Sequence, residues 1–504
     1  MEAHYAECQL CRIEGRMYFQ AREALAVGAA ELTPEAPSPE DVDALIAALD
    51  NEGFDAYGAF MPSLKAPGVG LWLGSHLDAM PPAVIVNVTA FSAKNEQGAT
   101  PFDDAGCPVF QVALSTARRR EWAQSARGLS PADLAMHVVL PEVDGRLFAG
   151  VVSFKSPGRR DPDLQFSHFA HRADADRVAA AARRIAAWHR LSCTPTRDKR
   201  LAVVLSSYPG RPHQIAHAVG LDALASAEAM LGDLAAEGYA VTTGCALGEV
   251  LTRETPVWPL VEYRQRLAAL PLPLQEALAR AWGDPESDPS YHDGAFHFAV
   301  VRRGQCLIAV QPERGDTKTR DDDYHDLSRT PRHSYVAFYL WLQSLELHAL
   351  IHMGAHGTLE WLPGKSVALS QTCWPEALIG ATPVIYPFIV NDPGEAAQAK
   401  RRIGAVAIGH LPPPLAKSGL PEGLVRLERL LDEYSTADGL DPGRRQRLIA
   451  AIRSEAQAAG VEEDLGLSAS ASPAEAIPRI DRFVCDLKES QYGEGLHIFG
   501  RGDC

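Results

Sequence analysis

Short runs of uninterrupted apolar residues, separated by stretches with helical periodicity, constrain this chain more than any other feature. Residues 83–91 (Ala-Val-Ile-Val-Asn-Val-Thr-Ala-Phe), 108–114, 201–205 (Leu-Ala-Val-Val-Leu) and 347–352 (Leu-His-Ala-Leu-Ile-His) are of this kind. A strand with apolar residues on both faces must be covered on both, which is the condition of a parallel sheet between helices. Further strands are expected at 54–61, 239–243, 383–390 and 403–409.

The helices between them carry their own signals. Ser38-Pro39-Glu40-Asp41 combines a capping serine, a first-turn proline and acids at the positive helix end. Val42, Leu45, Ile46 and Leu49 then form one apolar face, and Gly53 ends it. Val178, Ala182, Ile185 and Trp188 mark a second helix, and a third is expected near 221–236. Thr330-Pro331 opens another, carrying Tyr335, Phe338, Leu342 and Leu345, and 394–402 is helical. After Pro412-Pro413-Pro414 the composition shifts to charged helices near 424–434 and 444–459; Ser468–Ala474 reads as a loop. The expected fold is therefore α/β: several lobes with mainly parallel sheets and a helical C-terminal segment. The expected divisions are a weakly ordered leader at 1–37, an α/β lobe at 38–195, a second at 196–415, and a mainly helical, incomplete segment at 416–504. The last residues, Gly500-Arg-Gly-Asp-Cys504, follow an apolar His-Ile-Phe and read as an interrupted end.

At 504 residues the chain has room for about two to four domains. Its net charge of −16 repels phosphate backbones, so nucleic acid is not an expected partner. No run of about 18 apolar residues is present, so no membrane span is expected. The N-terminus has neither a basic nor an apolar signal region. Nine scattered cysteines suit a reducing compartment, hence the cytoplasm. Cys8-x-x-Cys11, with His4 upstream, lacks the second pair that a four-ligand zinc site needs, and reads as two ordinary thiols.

The densest concentration of reactive side chains is His352-Met-Gly-Ala-His356-Gly-Thr-Leu-Glu360-Trp-Leu-Pro-Gly-Lys365. On a helix, spacing by four would put His352, His356 and Glu360 on one face, but Gly354 and Gly357 argue against a helix. The preferred reading is that His352 ends a buried strand and the rest is a loop, placed where α/β proteins bind ligands. Imidazole suits Co²⁺, Ni²⁺ and Zn²⁺, and a carboxylate can also take a proton. The competing reading is a pair of structural histidines bonded to backbone. Met353 stands where a zinc protease needs its glutamate, and Gly364-Lys365-Ser366 lacks the upstream glycine of a phosphate loop. ATP hydrolysis by this chain is therefore not expected.

A second cluster, Asp321-Asp-Asp-Tyr-His325-Asp326 followed by Pro331-Arg332-His333, could gather a hydrated divalent ion or simply be a solvated acidic loop. In the third, Asn391-Asp-Pro-Gly-Glu395 opens a helix that ends Lys400-Arg401-Arg402. Its basic end could meet carboxylates of a ligand or complement the helix dipole. His497 is expected to be a packed histidine.

These stretches resemble a known family. Ala349–Lys365 and Pro383–Arg402 are similar to signatures of the cobaltochelatase large subunits (CobN) and their relatives, the magnesium chelatase H subunits. So are Asp323-Tyr-His-Asp326, Asp133–Arg146 and Lys488–Arg501. The resemblance covers about residues 40–504 and leaves the chain short at both ends. It implies the large subunit of an ATP-dependent cobaltochelatase, binding hydrogenobyrinic acid a,c-diamide and inserting Co²⁺ in cobalamin biosynthesis. Separate AAA+ ATPase subunits, with Mg²⁺ as an option, would use the ATP. The lobe at 196–415 would hold the metal and tetrapyrrole site, with His352, His356 and Glu360 at the point of insertion. Asp323 and His325 complete the candidate metal ligands; Arg332, His333, Lys365, Arg401 and Arg402 are the candidates for binding the ring. The alternatives are a magnesium chelatase H subunit, acting on Mg²⁺ and protoporphyrin IX, and a non-catalytic tetrapyrrole-binding fragment.

Overall fold

The computed structural model describes Pro39 to Arg501, apart from residues 62, 162, 164, 207–216, 219–220, 243, 316–326, 355–356, 390–392, 411–421, 437–441, 469–470 and 490–496. The chain divides into two units: residues 1–193 with Lys365–Ser370, and residues 194–364 with 371–504.

In the first unit, helix α1 (Pro39–Asn51) ends at Gly53, whose φ of 94° only glycine adopts readily. Then come α2 (Val69–Ala79), β1 (Ile85–Asn87), β2 (Val109–Ser115), α3 (Arg119–Gln124), β3 (Leu147–Asp161), β4 (Phe166–Ala173) and α4 (Ala175–Cys193). The sheet order is β1-β2-β3-β4, with the first two pairings parallel and β3–β4 antiparallel. Leu45 and Leu49 of α1 and Val178, Ala182 and Ile185 of α4 close over Phe110, Val112 and Leu114 of β2.

Residues 54–61, expected as a strand, form none. They alternate in burial as a strand would, but have no ladder partner. They run along α1 instead: a Cβ on Gly58 would come within 3.1 Å of Val42 and 3.3 Å of Ile46. Phe54 and Ala56 join the core from there.

The second unit opens with β5 (Leu201–Leu205) and α5 (Ala223–Ala236). Next are β6 (Thr255–Pro259), α6 (Leu260–Ala268), α7 (Leu272–Trp282), β7 (Tyr291–His292), β8 (Ala295–Phe298), β9 (Val300–Arg303) and β10 (Cys306–Val310). After them come α8 (His333–Ser344), β11 (Ala349–Met353), α9 (Trp374–Ile379), β12 (Val384–Ile389), α10 (Pro393–Ile403) and β13 (Val406–His410). A six-stranded sheet runs β9-β10-β5-β11-β12-β13, parallel except for the β9–β10 hairpin. Strands β6, β8 and β7 form a small antiparallel sheet.

Position in the sheet explains the strand compositions. Central β5 and β11 are buried at every residue, whereas edge strand β13 is largely exposed. Helix α8 is buried from His333 through Leu342, so its sequence is apolar all round rather than on one face. Residues 239–242, the described part of the strand expected at 239–243, form no strand. Val241 N–H turns back to the Tyr239 carbonyl, and the Ala240 carbonyl accepts from Gln305 N–H in the β9–β10 turn. Backbone bonds that would have made a ladder go to a near neighbour and to this distant turn instead. Helices α11 (Glu422–Thr436), α12 (Pro442–Ala458) and α13 (Pro473–Glu489) build a separate core around Leu427, Ile452 and Ile480. No described helix is long and apolar enough to cross a membrane.

Candidate functional site

The carboxyl ends of β5, β11 and β12 carry the site. Side chains alternate along β11, so His352 shares its face with Leu350 while Met353 points the other way. His352 is 0% exposed. Its Nδ1 lies 3.4 Å from Ser206 Oγ, just past the end of β5. Ser206 is held there by its N–H, which donates to the Met353 carbonyl at 3.0 Å.

Ile351 is paired with Ile385 on β12. One residue further, the two strands bring His352 and Tyr386 side by side, with rings stacked at 5.0 Å and 13°. The chain then leaves the sheet through two glycines where any side chain would collide with its neighbours. Gly354 has φ 150°, and a Cβ there would overlap Ser206 Oγ. A Cβ on Gly357 would lie 2.6 Å from His352 Nε2 and 3.2 Å from Glu360 Oε2.

Glu360 stands in a single 3₁₀ turn, Leu359–Trp361, and is also 0% exposed. The Tyr386 hydroxyl donates to Glu360 Oε1 at 3.2 Å and accepts from the Gly357 N–H. Arg402, at the end of α10, donates to the main-chain carbonyl of Glu360 and, at 2.8 Å, to that of Leu362. Burial pushes its guanidinium down to about 10, so it is still a cation at neutral pH. Behind the turn, Thr358 Oγ1 is 2.8 Å from the Tyr335 hydroxyl and donates to Gln311 Oε1 at 3.2 Å. Gln311 Nε2 donates in turn to the hydroxyls of Tyr335 and Tyr339. Burial raises both phenols, with the Glu360 charge adding to it, so they remain neutral donors.

An imidazole and a carboxylate thus reach one point of backbone, inside a shell of neutral hydroxyls and one buried cation. Such a pair can bind a divalent metal transiently and accept a proton. Among the described residues, no three His, Cys, Asp or Glu side chains converge closely enough to hold a metal ion.

The other sequence candidates fare differently. His356, Asp323 and His325 lie outside the described residues. Arg332 is 3.6 Å from Asp288, 5.0 Å above the Trp282 ring, and donates to the Gly315 carbonyl at 3.1 Å. His333 is fixed between the Tyr263 hydroxyl at 2.6 Å and the Gly283 carbonyl at 3.0 Å, and burial pushes its imidazole down. These two residues belong to a polar cluster with α6 and α7. Lys365 belongs to the first unit. Its ammonium donates to the carbonyls of Trp122, Ala123 and Ser125 at 2.7, 3.0 and 2.7 Å. In the structure Lys365 caps the C-terminal end of α3. Arg401 is half-buried, and Arg402 serves the Glu360 turn. His497 Nε2 packs at 3.0 Å from His410 Nδ1. Sequence reading missed Tyr386, Ser206, Gln311 and Thr358. The one signal available was a tyrosine within the otherwise apolar strand Val384–Ile389.

Residues 15–503 match the model of the CobN/Magnesium Chelatase family. The chain is 40% identical over 479 residues to the aerobic cobaltochelatase CobN protein of Sinorhizobium sp, an alignment covering 91% of this chain and 38% of that one. It is 27% identical over 498 residues to the magnesium-chelatase H subunit of Rhodobacter capsulatus, covering 91% and 40%. Among solved structures, the catalytic subunit of cobaltochelatase from Mycobacterium tuberculosis superposes with a TM-score of 0.67 at 32% identity, over 92% of this chain and 42% of that one. The chain spans about two fifths of the length of these relatives.

Proposed function

The chain belongs to the CobN/magnesium chelatase family, and from that premise we propose that it is the portion of a cobaltochelatase large subunit where a tetrapyrrole receives Co²⁺. The ring is proposed to be hydrogenobyrinic acid a,c-diamide, and the setting cytoplasmic. Separate AAA+ ATPase subunits, with Mg²⁺, use the ATP; this chain does not.

Insertion exchanges two pyrrolic protons for one Co²⁺, which must first shed water. Two things are therefore needed: a ligand that holds the dehydrating metal, and a base that takes protons one at a time. His352 is proposed as the transient ligand and Glu360 as the proton acceptor, with His356, Asp323 and His325 as further ligands. Arg332, His333, Lys365, Arg401 and Arg402 are proposed for the ring carboxylates, each of them also engaged within the chain. The observation that carries the reading is the meeting of two fully buried ionisable side chains, His352 and Glu360, at Gly357. Burying such groups costs stability, so their convergence at one loop supports a site there.

Glu360→Gln keeps the shape and removes the base. In an assembled chelatase it is expected to leave ring binding unchanged and to reduce cobalt insertion at least ~100-fold, read from the absorbance of the ring. Insertion at the wild-type rate would falsify the assignment. Cobalt is placed ahead of magnesium because identity to the CobN relative is 40%, against 27% for the magnesium-chelatase relative. Supplying Mg²⁺ with protoporphyrin IX in the same assay tests that choice. Ring binding with no insertion in any assembly would favour the non-catalytic fragment.

A further inference from the structure

We propose that Tyr386 is a positioning residue for the insertion reaction, its hydroxyl fixing the Glu360 carboxylate against His352. The inference rests on the reading of Glu360 as the proton acceptor and adds a residue to it.

Three features of one side chain carry the argument. The Tyr386 ring is buried and lies flat against the His352 imidazole, at 5.0 Å and 13°. Its oxygen accepts the Gly357 N–H, and its proton goes to Glu360 Oε1 at 3.2 Å. An amide N–H can only donate, so its presence on the phenol oxygen orients the hydroxyl proton away from the loop and toward the carboxylate. A phenylalanine would fill the same space and stack on the same imidazole. The hydroxyl is therefore not explained by packing, and burying it without partners would be costly. One phenol thus ties the strand histidine, the loop backbone and the carboxylate into a single geometry.

A donor aimed at one carboxylate oxygen fixes the direction in which the carboxylate faces. Among the described residues, the titratable groups facing Glu360 include His352 of β11, Tyr386 of β12, Tyr335 and Tyr339 of α8, and Arg402 of α10. Burial keeps the α8 phenols neutral, while Arg402, lowered by burial only to about 10, remains charged across the neutral range. His352 meets Tyr386 through its ring face, so loss of the hydroxyl leaves that stacking in place.

The test is the split between kcat and KM for cobalt insertion in the assembled chelatase. Tyr386→Phe is expected to lower kcat about 10- to 100-fold at neutral pH, with KM for the ring within about twofold. Replacing Tyr386 with 4-fluorophenylalanine, which fills the place of the oxygen without a donor, lowers kcat in the same way, and decides the matter should the phenylalanine variant fail to fold. A loss of kcat matched by an equal rise in KM would reduce Tyr386 to packing and overturn the proposal. So would wild-type behaviour of both variants. Glu360→Gln in the same assembly separates the two levels. If it inserts cobalt normally, the reading of the base falls; if it is inactive while the Tyr386 variants behave as wild type, only the positioning role falls.

Discussion

Gly357→Ala tests the geometry of the site with one methyl group. The added Cβ would sit 2.6 Å from His352 Nε2 and 2.7 Å from its Cε1, where ordinary contact begins at 3.4 Å. Something must yield by nearly 1 Å. The imidazole has no open direction, since it is fully buried, stacked on Tyr386 and close to Ser206. Gly357 lies outside the left-handed region, so alanine adds no backbone strain of its own and the effect is that of the clash. The loop must therefore move, and it carries the Gly357 N–H away from Tyr386. Overpacking of this kind costs about 1–3 kcal/mol, which corresponds to a fall in Tm on the order of 5 °C for a domain of this class. The consequence for chemistry is larger. A misplacement of about 1 Å between reacting groups lowers rate by about 100-fold, so insertion is expected to fall by that factor while the ring still binds. Calorimetry reads the first effect and ring absorbance the second. A Gly357→Ala protein that melts within about 1 °C of wild type and inserts cobalt at the normal rate would show that His352 and Glu360 do not meet at this loop.

Two further outcomes follow from groups outside the site. Lys365→Met removes an ammonium that three main-chain carbonyls share, and is expected to destabilise the first unit by about 2–4 kcal/mol in urea unfolding, with KM for the ring unchanged; unaltered stability with a raised KM would point to a ring ligand instead of a structural cap. Burial, together with the neighbouring His497, pushes the His410 imidazole down to about 4. The unfolded chain therefore takes up this proton first, and the contribution of His410 is full above the ordinary histidine value and lost as pH falls through about 4. His410→Phe should flatten the dependence of the urea midpoint on pH between neutrality and about 4, and an unchanged slope would remove His410 from that dependence.

Much of the sheet was legible because burial on both faces leaves a mark in composition. Leu201–Leu205 and Ala349–Met353 are apolar almost throughout, since helices and neighbouring strands leave no side of them in water. The same rule explains the failure at 54–61. That segment has the alternation of a strand, but alternation reports an extended backbone and says nothing of a partner; here the covering surface is α1. At 239–242 the decisive bonds run to the turn between β9 and β10, which lies far along the chain and has no local signal. The long β3–β4 hairpin was missed for another reason: β3 includes Ser153, Lys155, Ser156 and Pro157, which break the apolar pattern.

In the site, residue chemistry was legible and partnership was not. The spacing of His352, His356 and Glu360 by four mimics a helix face, and Gly354 and Gly357 were the correct grounds for rejecting it. Those glycines turn out to be required by close approach to Ser206 and His352. Tyr386 could not be tied to His352 from sequence, because the link is a register: Ile351 opposite Ile385 places the next residues together, and a shift of one would turn Tyr386 to the other face. The cations show the same limit more sharply. Lys365 and Arg402 read as hands for an anionic ring because they are charged and sit in motif-like runs. Both instead meet carbonyl oxygens, at the end of α3 and around the Glu360 turn. Short helices and 3₁₀ turns leave carbonyls unbonded at their ends, and a buried cation answers that need as well as it answers a carboxylate. Carbonyls are chemically alike at every position, so no sequence pattern announces which of them a lysine or arginine will find. Charge alone therefore does not separate a ligand contact from an internal strut, and which carbonyls a cation meets has to come from where the fold brings them.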